Sequence, residues 1–190
     1  MVLRMKQKDD NVNKPAAGAA KELKPKTTYV VIEHELRGVT PEMFDWWANN
    51  INNSERYKLW HPKDHISFEW EVPPSQTKDG HIGATSNFVE KIGGVLIRGR
   101  IRYIDPTSSP IKTTYPYVHA GCSLGANDEP RGYSCHEFKA EPWGIRVRSI
   151  FQVPADAPRE AMDALRQHCK EEMGRLPEFL PELYKRETDG

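Results

Sequence analysis

Between residues 65 and 153 lie six segments of strand composition: HISFEWEV, ATSNFVEKI, VLIRGRIRYI, KTTYPYVHAG, GYSCHEFKAE and GIRVRSIFQV. This run limits the fold more than any other feature. The separators include PPSQTKDG, DPTSSP and NDEPRG, whose Pro, Gly, Asp and Asn residues favour turns. Connections this short join antiparallel neighbours. A seventh stretch, TTYVVIEHEL, has the same composition and begins at Thr27.

Two helices frame the strands. The first opens with Thr40 as cap, Pro41 in the first turn and Glu42 at the positive dipole end. Its apolar residues Met43, Trp47 and Ile51 recur at helical spacing, with Phe44 and Trp46 widening the stripe, and the asparagines 49, 50, 52 and 53 end it. The second helix follows Asp156, carries Pro158 in its opening turn, and is predicted to run to about Leu176, just before Pro177. Strand, helix, antiparallel strands and a long closing helix make an α+β order. A curved sheet gripping that last helix encloses a cavity, which is where a ligand would go.

Lysine plus arginine equal aspartate plus glutamate at 27 each, so no net field draws in nucleic acid or an acidic membrane surface. No apolar run approaches the ~20 residues of a membrane span, and MVLRMKQKDD lacks the apolar core of a secretory signal. Three cysteines without a close pair (Cys122, Cys135, Cys169) argue against a disulfide framework and for a reducing, cytoplasmic setting. Residues 1–26 are polar and aperiodic and are expected to be a disordered tail; residues 27–184 form one domain and 185–190 a C-terminal tail.

The closing helix carries the sharpest chemical signal. At 100° per residue, Met162, Leu165, Cys169, Met173 and Leu176 share an arc that Ala161, His168 and Glu172 extend. Glu160, Asp163, Arg166, Lys170, Glu171 and Arg175 lie on the other side. His168 and Glu172, four apart, sit on adjacent turns and can bind one ion together, whereas Glu171 stays in water. A buried glutamate needs a partner, and a plain His–Glu hydrogen bond would also supply one. In ATSNFVEKI, alternation puts Glu90 on the face of Phe88 and Ile92, as a ligand, a base or half of an ion pair with an arginine of RGRIR. HPKDH offers His61 and His65, but Pro62 argues against a helix there, and strand parity does not choose between the two. His119 shares a face with Tyr115 and Tyr117, a set suited to a phenolic ligand.

The stretches TPEMFDWWANN and YKLWHPKDH, with HCKEEM near the C-terminus, resemble the diacetylphloroglucinol hydrolase and phloretin hydrolase family over residues 30–184. The resemblance implies a helix-grip fold like that of birch-pollen allergens and steroidogenic lipid-transfer domains, and a homodimer. It also implies a zinc enzyme that hydrolyses the carbon–carbon bond between an acyl group and a polyphenol ring of a small aromatic ketone. Carried across, the zinc ligands are His65, Glu90, His168 and Glu172, with a fifth position open to water. His119 becomes the proton donor to the ring carbon, with Tyr57 and Tyr133 holding phenolic oxygens. Family members have an additional N-terminal helical region. Three other readings suit the same chain: a carrier of an aromatic or polyketide ligand, a metal-dependent polyketide cyclase or dehydratase, and a protein-interaction module using the TPEMFDWW helix.

Overall fold

The computed structural model describes residues 26–189, so all but Lys26 of the expected N-terminal tail lies outside the described residues. Strand β1 (Thr27–Arg37) leads through helices α1 (Pro41–Asn50) and α2 (Ser54–Trp60) into β2 (His65–Val72). Then follow β3 (Thr85–Ile92), β4 (Val95–Ile104), β5 (Tyr117–Leu124), β6 (Pro130–Glu141), β7 (Gly144–Pro154) and the closing helix α3 (Arg159–Thr188). The seven strands form one sheet in the order β1-β7-β6-β5-β4-β3-β2, antiparallel throughout. This is the helix-grip architecture: a curved sheet holding one long helix. Among the described residues no helix is long and apolar enough to cross a membrane.

Thr40 caps α1 as its sequence suggests, its hydroxyl accepting from Met43 N at 3.3 Å. Helix α2 was not expected. Asn53, read as part of a terminating run, is its N-cap and accepts from Arg56 N at 2.7 Å. The core forms where the α3 arc (Cys169, Met173, Leu176) meets Val30, Ile32 and Leu36 of β1 and Ile145 and Val147 of β7. Phe44 and Trp47 of α1 close it from the side.

Helix α3 does not stop before Pro177. It passes through Pro177 and Pro181 to Thr188, so most of the expected C-terminal tail is its last turn. Each proline costs ~3 kcal/mol in a helix interior. The apolar arc continues past them, however, with Leu176 and Leu180 fully buried and Leu183 nearly so, at ~1.5–3 kcal/mol per side chain. Helices α1 and α2 add to this. Trp47 packs edge-on against Phe179, Trp46 against Tyr184, and Arg56 pairs with Glu187 at 3.0 Å. Tertiary packing outweighs the local breaker.

Candidate active site

Pro62 stops α2, and the chain makes one tight turn in which His61 O accepts from His65 N at 2.9 Å. A bulge then follows: His65 pairs with Glu90 and Ser67 with Val89, so β2 holds two residues where β3 holds one. The extra residue lets His65 and Phe68 both face inward, while Ile66 is exposed. Parity counted along the sequence fails at this step.

The ring of His65 stacks on Tyr57 (centroids 3.8 Å apart), and its Nδ1 donates to Tyr57 O at 3.0 Å. That bond fixes the tautomer and leaves Nε2 as a bare, buried acceptor without a partner. His61 differs, because its Nε2 donates to Glu171 at 3.0 Å and its Nδ1 accepts from Asp64 N at 3.2 Å. Of the two histidines that the sequence left open, His65 has an unpartnered ring nitrogen, whereas both ring nitrogens of His61 are hydrogen-bonded.

Glu90 faces inward, as its parity implies. The arginines of RGRIR do not take it: Arg100 is paired with Glu71 and Asp128, and Arg102 with Asp128. Its Oε2 instead accepts from Tyr57 Oη at 2.6 Å and lies 3.6 Å from His65 Nε2 and 3.8 Å from His168 Nε2. Glu172 reaches His65 Nε2 at 3.6 Å. His65, His168 and Glu172 offer ligand atoms within 4.8 Å of one another, and Glu90 joins them through both imidazoles. Ligands ~2.0–2.2 Å from a tetrahedral ion stand about 3.3–3.6 Å apart, close to this spacing.

Burial shifts the charge states of this cluster in a direction that a cation would offset. Burial pushes Glu90 up to about 7, with the nearby Glu172 charge adding to the rise, and burial likewise pushes Glu172 up to about 7. Burial also drives His65 down to about 4 and lowers His168. Both ring nitrogens of His168 and Nε2 of His65 are buried without a hydrogen-bond partner, which is costly unless something binds them. Two carboxylates and two neutral imidazoles balance one divalent ion. Asp64 Oδ2 lies 3.7 Å from His168 Nδ1.

Beside this cluster lies a cavity of about 150 Å³, a size at which an apolar core admits a benzene ring. Its walls include Phe44, Trp47, Phe68 and Phe88, and Glu90, His168 and Glu172 line it. The Phe88 ring occupies the space beside Gly99, its partner on β4, where a Cβ would clash with the ring. His119 also lines the cavity. It stacks on Phe44 and donates from Nε2 to Asp45 Oδ1 at 2.9 Å, which holds Asp45 below the usual carboxylate range.

Three tyrosine expectations change. Tyr133 is not in the cavity: the β5–β6 register turns Ser134 and His136 inward, and Tyr133 packs on the opposite face against the cluster of Ile111, Ala120, Cys135 and Ile150. Tyr115 and Tyr117 do not accompany His119 inward. Tyr115 lies beneath Arg148 and Lys139, and Tyr117 is exposed and stacked on Phe138. Tyr57 does line the cavity, but its hydroxyl proton is committed to Glu90. Tyr103, passed over in the sequence, lines the cavity beside His81 and Trp70, and burial pushes it up to about 12. Its shared parity with Ile101 in VLIRGRIRYI was the signal that could have found it. His136 was missed as well, though it shares parity with Phe138.

A family model described as the DAPG hydrolase PhiG domain matches residues 9–157, a span that includes Tyr57, His65, Glu90 and His119 and ends before α3. Among curated proteins, none matches the chain. Solved structures share the fold at low identity. Ara h 8.0201 is 12% identical with a TM-score of 0.54, over 83% of this chain and 99% of that one. SA2116 from Staphylococcus aureus, a protein of unknown function, is 13% identical with a TM-score of 0.55, over 86% and 98%. NE0264 from Nitrosomonas europaea is 16% identical with a TM-score of 0.52, over 85% and 97%.

Proposed function

Since the chain belongs to the DAPG hydrolase PhiG domain family, we propose that it is a zinc-dependent hydrolase cleaving the bond between an acyl group and a polyphenol ring. The products are a carboxylic acid and the deacylated phenol. One observation carries the reading: two buried histidines with unpartnered ring nitrogens and two carboxylates converge on the wall of an aromatic-sized cavity that His119 also lines. The donor set fits zinc, which takes imidazole nitrogen and carboxylate oxygen readily. His65, Glu90, His168 and Glu172 would hold the ion. Bound there, zinc supplies Lewis-acid chemistry, lowering the pKa of a coordinated water toward ~7 and polarising the acyl carbonyl.

The chain's own residues do the rest. Phe44, Trp47, Phe68 and Phe88 clasp the ring and keep bulk water away. Tyr57 orients Glu90 through its hydroxyl and His65 through its carbonyl, tying both to α2. An aryl carbon leaves its acyl group only after it has been protonated, and His119 is placed for that step. Its Nε2 is tied to the Asp45 carboxylate, which orients the ring at the cavity wall.

Protein prepared without chelator should hold close to one zinc per chain and release acid from a panel of acylphloroglucinols. His168→Ala should lose both metal and turnover. Zinc-loaded protein that cleaves none of the panel would refute the hydrolase reading. Tight binding of those phenols without cleavage would favour a carrier, for which the mostly aromatic lining also suits.

A further inference from the structure

Two further histidines have no part in the mechanism above. His136 on β6 is the ladder partner of His119 on β5 and lines the same cavity. Its Nδ1 lies 2.9 Å from the hydroxyl of Ser149, the residue opposite it on β7. Ser149 is fully buried, and its hydroxyl lies 3.1 Å from Nε2 of His34 on β1. An imidazole–hydroxyl–imidazole chain therefore crosses three neighbouring strands, from the cavity to His34, which keeps 9% of its surface exposed. Packing alone does not explain it. Three apolar side chains would fill the same space without the desolvation that drives His136 down to about 3 and His34 down to about 4.

A serine hydroxyl has one proton, so of its two bonds it gives one and receives one. Two arrangements satisfy the chain. In the first, His136 Nδ1–H donates to Ser149, which donates to His34 Nε2, and His136 Nε2 is a bare acceptor. In the second, every bond runs the other way, and His136 Nε2 carries the proton. Moving from one to the other carries a proton through the wall of the cavity while each imidazole stays neutral, as burial demands.

We propose that His136 is a second catalytic residue, taking the phenolic proton of the bound substrate at Nε2 and passing it through Ser149 to His34 while His119 protonates the adjacent ring carbon. This rests on the acylphenol reading given above. The acyl-bearing carbon and the phenolic oxygen beside it belong to one enol unit, and ketonisation removes a proton from oxygen as it adds one to carbon. Cross-strand partners present their side chains about 4.5–5.5 Å apart, close enough to flank one edge of a ring.

The protons balance. The phenolic proton goes to His136 Nε2, that of His136 Nδ1 to Ser149, that of Ser149 to His34 Nε2, and that of His34 Nδ1 to water. When the carbon–carbon bond breaks, its electron pair returns through the ring to the same oxygen. The chain runs backwards and restores the phenol. The water consumed gives its hydroxyl to the acyl group and its proton to His119.

Phloroglucinol without an acyl group tests the relay apart from cleavage, because its ring protons exchange with D2O only through the keto form. The zinc-loaded protein should accelerate that exchange, followed by proton NMR. His136→Asn, which can keep the bond to Ser149, should slow exchange and kcat by about 100-fold or more while KM changes less than about threefold. Ser149→Ala, a positioning residue, should show the same split between kcat and KM. Cleavage with exchange unaffected by either substitution overturns the relay and leaves the hydrolase standing. Exchange lost in both variants, in a protein that cleaves no acylphenol, supports the relay and removes the hydrolase. A wild-type protein that cleaves acylphenols without accelerating exchange also overturns the relay.

Discussion

Replacing Glu172 with glutamine isolates the cost of a buried charge from the rest of the site. Burial moves this carboxyl from 4.5 to about 7. Between those values the folded chain holds a proton that the unfolded chain has released, so stability falls as pH rises through the window. Below 4.5 both states are protonated; above 7 both are ionised and the loss is complete. At 1.36 kcal/mol per unit, a shift from 4.5 to about 7 costs about 3 kcal/mol in the metal-free protein at pH 8. Glutamine keeps the shape and carries no charge. The chelated Glu172→Gln protein should therefore match wild type near pH 4 and exceed it by about 3 kcal/mol at pH 8, or ~6–12 °C in Tm for a chain of this size. Zinc should invert the order, since wild type gains ~4 kcal/mol at a thousandfold excess over Kd and the variant has lost an anionic ligand. Thermal and urea unfolding followed by tryptophan fluorescence, in chelator and then in zinc, reads all four states. A metal-free difference that does not change with pH would refute the buried-charge argument. An unchanged order in zinc would remove Glu172 from the ligand set.

Tyr57→Phe deletes the hydroxyl bonded to Glu90 but keeps the ring on His65; zinc affinity should fall about 10–100-fold by competition with a chelator, with Tm of the zinc-loaded protein following. Tyr133→Phe, on the face away from the cavity, should leave kcat and KM within twofold of wild type, whereas Tyr103→Phe should raise KM severalfold; the reverse pattern in steady-state kinetics would mean that the strand register has been misassigned. Pro177→Ala restores an N–H that the carbonyl of Met173 lacks and should raise Tm, by up to ~3 kcal/mol in unfolding free energy. A drop in Tm on that substitution would show that the helix does not run through residue 177.

How much of the site the sequence revealed depends on the period of each element. His168 and Glu172 were chosen over Glu171 because α3 repeats its apolar arc several times before and after them. Glu90 was legible because Phe88 and Ile92 mark its face. Helix α2 is only seven residues long, too short for a period to emerge, and its capping Asn53 is masked by neighbouring asparagines. Pro177 was read as a stop because local propensity is visible in a sequence and the contacts of Phe179 and Tyr184 with α1 are not.

Parity could settle neither His65 nor the inner face of the strand that carries Tyr133, for different reasons. At His65 the alternation could not choose the residue, because a bulge adds a residue and reverses the face between His65 and Phe68. In β6 the alternation is unbroken, but neither face is plainly apolar: Tyr133, Cys135 and Glu137 lie on one side, Ser134, His136 and Phe138 on the other. Choosing the inner face needs the register with β5, which only the fold supplies. The two ambiguities have a common cause. A strand that must bring imidazoles and hydroxyls into a cavity gives up the clean apolar alternation that would make it readable. Where the pattern was hardest to read, in β2 at His65 and in β6 at His136, the structure places polar groups that a simple core would exclude.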